Sequence, residues 1–190
     1  MPKETPFAVV SRKLLDTWLA SDANRPADAI DIYRSVVDLL SVRMRLTLIR
    51  VDEGDPWQWR MRAIRTYGFA SRLLDMSKLL PDGPLGDVSD RQFMEHAVVP
   101  RMQEVIQTQQ PVIEVVKTRV MGLSVGYDRI MLPQKNAGHP EWVLTCTMGR
   151  FMFVAPQKHA ELDLTDESIV QLLVEGATAK EIAAQINVSP

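Results

Sequence analysis

Five stretches of strand-type alternation fall in a fixed order along the chain, two strands, then a helical run, then three strands, and this order limits the fold more than any other feature. The first two stretches, 42–51 and 57–66, are joined by DEGDP, whose Gly and Pro suit a tight loop between adjacent antiparallel strands. The other three, 111–120, 125–133 and 141–154, are separated by MGLS and QKNAGHP. A doubly wound parallel sheet needs strands and helices in regular alternation, which is absent here. The pattern therefore predicts an α+β fold built on one antiparallel sheet.

Helical periodicity frames these strands. Phe7, Val10, Leu14, Leu15, Trp18 and Leu19 recur on one side of 6–20, with Arg12, Lys13 and Asp16 on the other, which predicts an amphipathic helix. A second helix is expected over 29–40, with Ile32, Val36, Val37 and Leu40 inward, and a short one over 69–74. A longer helix is expected over 90–108, capped by Ser89 or Asp90 and bent by Pro100, which lacks a backbone N–H.

A chain of 190 residues, 46% of them hydrophobic, can bury a real core. Its net charge of -2 supplies no global attraction to phosphate or to an anionic membrane. Cys146 is the single cysteine, so the chain has no intramolecular disulfide and no thiolate-rich zinc site, which fits a reducing cytoplasm. The N-terminus has no secretory-type apolar run, and no segment approaches a membrane span in length. The expectation is a cytoplasmic protein.

After a polar linker at 156–163 comes LTDESIVQLLVEGATAKEIAAQINVSP, from Leu164 to Pro190. Thr165 caps a helix that has Asp166 and Glu167 in its first turn and Ile169, Val170, Leu172 and Leu173 on its apolar side. Gly176 suits the left-handed stop. Thr178 and Glu181 have capping-box spacing, and Ile182, Ala183 and Ile186 would face the first helix.

On these residues two resemblances rest. RLTLIRVDEGDPWQWRMRAIRTYG, VIQTQQPVIEV and YDRIMLPQKNAGHPEWVLTCT resemble a PAS domain of the divergent bacterial form, over roughly 27–154. That resemblance implies a five-stranded antiparallel sheet with helices on one face, enclosing a cavity or docking surface for signal detection. The tail resembles the LuxR-type helix-turn-helix of transcriptional regulators through Leu164, Thr165, Glu167, Leu172, Leu173, Glu175, Gly176, Lys180, Glu181, Ile182, Ala183, Val188 and Ser189. The helix that would read the major groove in that family lies beyond these residues. Glu161, Asp163, Asp166, Glu167, Glu175 and Glu181 face Lys180 alone, so phosphate would meet repulsion and DNA binding by this chain alone is not expected. The tail is a shortened piece of a longer regulator, a degenerate DNA-binding domain, or two helices reused for packing. The expected organisation is an N-terminal helix at 1–26, a PAS-like domain at 27–155, the linker at 156–163 and a partial helix-turn-helix at 164–190.

No Gly-rich phosphate loop, serine elbow or His-Glu-x-x-His run occurs, which argues against an enzyme. His96, His139 and His159 share no metal-ligand spacing, and His96 reads as an ordinary helix histidine rather than a haem ligand. Cys146 alternates with Leu144 and Met148 and reads as buried and inert, and no Asn-Cys-Arg flavin signature is present. Asp52, Glu53 and Asp55 fall short of a calcium loop and suit the hairpin. Arg43 and Arg45 with Arg60 and Arg62 are expected on matching faces, either docking an anion or solvated beside carboxylates. Trp59, Met61, Phe93 and Trp142 are the candidate lining of a pocket for a small apolar organic ligand, weighed against a simply packed core. Phe7, Leu14 and Trp18 are the candidate homodimer contacts. The function expected is signal sensing and dimerisation in control of transcription, the alternative being a protein-interaction adaptor.

Overall fold

The computed structural model describes residues 5–25, 27–66, 76–135, 138–154, 169–170 and 172–185. The helix expected over 69–74 and the linker at 156–163 lie outside these residues. The chain divides into two compact units, Met1–Phe153 and Val154–Pro190.

The first unit is an antiparallel sheet with helices. Helix α1 (Phe7–Ala20) and helix α2 (Asp28–Arg34) precede strand β1 (Met44–Arg50). Strand β2 (Arg60–Thr66) follows, and then α3 (Met76–Leu79) and the two-residue strand β3 (Gly83–Pro84). A segmented helical run, α4 (Arg91–Phe93) and α5 (Val99–Thr108), leads to β4 (Val112–Val120), β5 (Leu123–Pro133) and β6 (Trp142–Val154). The strand order is β3-β2-β1-β6-β5-β4. The sheet thus has six strands, one more than the alternation predicts. β3 pairs only Gly83 and Pro84 with Met61 and Arg60, too short to leave a period-two pattern.

Helices cover both faces, which corrects the expectation of helices on one face with α1 apart from them. Period two sends Met44, Leu46 and Leu48 of β1 to one side and Ile49 to the other. The first side joins Leu144, Cys146, Ile130 and Leu132 to Val10 and Leu14 of α1 and Ile32 of α2. The second joins Ile49, Val143 and Met131 to Phe93, Met94, Met102 and Val105 of the helical run. Leu14 and Ile32 are wholly buried, and each such side chain contributes about 1.5–3 kcal/mol.

Polar ties fix the segment between α1 and α2 against the sheet. Trp18 Nε1 donates to the Pro133 carbonyl at 2.7 Å, and Trp142 Nε1 to that of Arg25 at 3.2 Å. The Lys135 N–H donates to the Ala23 carbonyl at 2.7 Å, and Gln134 Nε2 to that of Asn24 at 2.7 Å.

The long helix expected over 90–108 is broken into three pieces. Asp90 caps its start by accepting the Phe93 N–H at 2.9 Å, as the spacing predicts. Residues Met94–Val98 then form a π turn before α5. Pro100 has no N–H for the His96 carbonyl, so the ordinary helical bond is missing and the turn widens. At the hairpin between β4 and β5, Met121 and Gly122 both take positive φ, the left-handed pair that a two-residue turn demands.

In the second unit, helical residues 169–170 and 172–174 precede Gly176, which has φ +87°. Its N–H donates to the Leu173 carbonyl at 3.1 Å, closing the helix. A helix over Ala179–Gln185 follows, with the capping box formed: Glu181 Oε2 accepts from the Thr178 N–H at 2.8 Å and its hydroxyl at 2.6 Å. Those bonds hold the Glu181 carboxyl below its ordinary pKa. Ile182 and Ala183 are buried as expected, whereas Leu173 is exposed. Ile186 lies outside the described residues.

Candidate functional site

The second side of the sheet is apolar at one end and polar across its middle. Alternation along β1 places Arg45, Thr47 and Ile49 together. On the neighbouring β6, Thr147 stands opposite Arg45, Thr145 opposite Thr47 and Val143 opposite Ile49. Arg45, Thr47 and Thr145 are all buried. Arg45 Nε donates to Thr47 Oγ1 at 3.2 Å, and Nη2 donates to the Leu80 carbonyl at 2.7 Å. Thr145 Oγ1 lies 3.5 Å from the Thr47 carbonyl.

Arg45 is 9% exposed and forms no ion pair among the described residues. Burial pulls its pKa below the ordinary arginine value, and the charge of Asp82 opposes the shift. Among the described residues Asp82 forms no ion pair with it, and the Asp82 carboxylate accepts the Ala63 N–H at 2.8 Å.

A second buried arginine occupies the same side. Arg129 donates to Glu114 Oε1 from Nη2 at 2.6 Å and from Nε at 3.0 Å, while Nη1 donates to the Ala97 carbonyl in the π turn at 3.1 Å. Arg101 Nε stands 3.2 Å from the other oxygen of Glu114, so one carboxylate lies between two guanidinium groups.

The residues singled out from the sequence separate across the sheet. Trp59, Met61 and Phe93 belong to the second core, but Trp142 belongs to the first, so the four do not share one lining. The register decides this: Trp142 pairs with Arg50, one residue out of phase with Ile49. Phe7, Leu14 and Trp18 are 7%, 0% and 5% exposed, buried in the chain's own first core, whereas Val9 and Leu19 are the exposed large apolar residues of α1. The arginines also part. Arg62 pairs with Leu48 and Arg60 with Arg50, which puts them on the side opposite Arg45. Arg43 lies just before β1 and donates to the Gly149 and Arg150 carbonyls.

Cys146 is wholly buried in the first core, and burial pushes its thiol up to about 12. His96 is exposed, with Nδ1 2.8 Å from the Gln92 carbonyl one turn back. Asp55 accepts the Trp57 N–H at 3.0 Å, and Asp52 pairs with Arg50. These loop carboxylates serve the hairpin. Among the described residues no group of three or more His, Cys, Asp or Glu is placed to hold a metal ion, and no helix is long and apolar enough to cross a membrane.

The polar band was only half visible in the sequence. Arg45 stood out as one of four arginines, but Thr47, Thr145 and Glu114 did not. The signal for the threonines was their alternation with apolar residues in MRLTLI and LTCTM, which marks a face that is buried and yet polar.

No protein-family model matches the chain, and no curated protein matches it. A solved structure of an RsLOV point variant is similar over 76% of this chain and 83% of that chain, at 8% identity and a TM-score of 0.36.

Proposed function

We propose that the chain is a PAS-like sensory and dimerisation protein that controls transcription in response to a signal, its C-terminal helices deriving from a LuxR-type helix-turn-helix. The observation that carries this reading is the antiparallel sheet roofed on its second side by α3–α5 and followed by a separately compact helical unit. A fold of this kind offers a ligand the interior between sheet and helices. A ligand that prefers one arrangement of sheet and helices shifts the population toward it, and the helical unit carries the change onward. On this reading the dimer contact falls to the outer side of α1, where Val9 and Leu19 are exposed. Comparing the transcriptome of a strain lacking the protein with that of its parent tests the proposal. A defined set of altered transcripts is expected, and unchanged transcripts across growth conditions would sink it.

One observation favours the adaptor reading. β4 is an edge strand, and Ile113 and Val115 on its outer row are 54% and 52% exposed. An adaptor would lose its protein partner on Ile113→Lys with Val115→Lys, whereas a sensor would keep its transcriptional response.

A further inference from the structure

We propose that Arg45 and Thr47 recognise the carboxylate of a small organic acid whose apolar body lies against the second core. The proposal rests on the sensory reading above and gives the ligand a chemical class. The starting point is a contrast in compensation. A guanidinium removed from water is normally matched by a carboxylate, because an unpaired buried charge is costly. Arg129 follows that rule through Glu114, and the buried Asp28 and Asp128 follow it through Arg25 and Arg150. Arg45 does not. Its bonds go to a hydroxyl and a backbone carbonyl, both neutral acceptors.

The unused groups point the same way. Nε and one N–H of Nη2 are occupied, which leaves Nη1 and the second N–H of Nη2 without an acceptor among the described residues. A carboxylate can engage adjacent N–H groups of that edge with two parallel bonds. Nη1 is also not sealed off: among the described residues, the one fully buried side-chain polar atom without a hydrogen-bond partner is Arg101 Nε. The Thr47 hydroxyl accepts from Nε and retains its own proton to donate. Two held groups on adjacent alternate positions of one strand therefore offer donors to a single anion.

The chemistry favours a carboxylate over a phosphate. One cation balances one negative charge, and a dianion here would remain undercompensated in a buried setting. Beside the donors, Ile49 and Val143 continue the same face as buried side chains of the second core, so the surroundings suit an acid that carries a hydrocarbon or aromatic group.

Thermal unfolding of the full chain with sodium butyrate, benzoate or indole-3-acetate, against sodium chloride at equal ionic strength, tests this. At least one acid is expected to raise the midpoint saturably, as a ligand of the native state does, while benzamide leaves it unchanged. The rise should vanish in Arg45→Met. Should that variant fail to fold, Arg45→Lys, which keeps the charge but loses the fork, must weaken the active acid about tenfold. The proposal is overturned if none of the three acids exceeds sodium chloride, if inorganic phosphate alone stabilises, or if the variant responds as the wild type does. An inert acid panel beside an altered transcriptome would remove the carboxylate and leave the sensory reading intact.

Discussion

Arg129 and Arg45 are both buried on the same side of one sheet, and their surroundings differ in charge. Arg129 sits opposite Glu114 on the neighbouring strand and is tied to it by two bonds, with Arg101 closing on the same carboxylate. Arg45 sits opposite Thr147 and beside Thr47, and among the described residues it pairs with no acid. The first arrangement pairs the Arg129 charge with a carboxylate of the chain itself, although Arg101 Nε makes no hydrogen bond, and it ties β4, β5 and the π turn together. The second leaves donors over. Burial alone therefore does not mark a site, since both arginines are buried. The mark is burial without electrostatic compensation.

Four experiments sharpen or break this contrast. The largest effect is expected from Glu114→Gln, which leaves Arg129 without its counter-ion and Arg101 with Glu104 alone. Denaturant unfolding should show a loss of about 3–5 kcal/mol, and a loss near zero would mean that the two arginines are equivalent after all. Arg45→Met should act in the opposite direction. Replacing an uncompensated buried charge by an apolar chain of similar reach should leave stability unchanged or raise it, by up to about 4 kcal/mol.

A smaller effect belongs to Thr47→Val, which removes the hydroxyl that accepts from Arg45 Nε. It should cost about 1–3 kcal/mol in the wild type and close to nothing in the Arg45→Met background. A cycle without that coupling would separate the two residues. The last effect concerns the opposite, apolar face and is read only at alkaline pH. Cys146 holds its proton to about pH 12 when folded and to about 9 in its ordinary state, so folding binds the proton more tightly. Its contribution is fully present below pH 9 and is lost as the pH rises from 9 to 12. The urea midpoint should fall across that window, and fall less steeply in Cys146→Ala.

Much of the architecture was legible in local pattern. The hairpin of β1 and β2, the three later strands, the caps at Asp90 and Thr178 and the stop at Gly176 all follow from residues within a few positions of one another. Such features depend on hydrogen bonds between near neighbours, so the sequence displays them directly. β3 escaped because two residues carry no period. The π turn escaped because Pro100 signals a missing bond without saying how the helix relaxes.

Sites and faces were less legible. Trp142 and Trp59 look alike as strand tryptophans, but one belongs to each core, and a shift of one residue in register would exchange them. Phe7, Leu14 and Trp18 form an apolar stripe that could have met a second copy. Instead, the indole bond from Trp18 to Pro133 and the packing of Leu14 place that stripe on the chain's own sheet.

What the sequence determined by itself was the alternation of its strands, the periodicity of its helices and the residues that start and stop them, since each is set by short-range stereochemistry. What only the tertiary structure decided was which face each strand turned inward, that both faces were covered, and that one buried arginine found an acid while the other found two neutral acceptors. Those outcomes depend on contacts between residues far apart in the chain, Arg45 with Leu80 and Glu114 with Arg129 among them. No local pattern encodes them, because a side chain's charge is visible in sequence and its compensation is not.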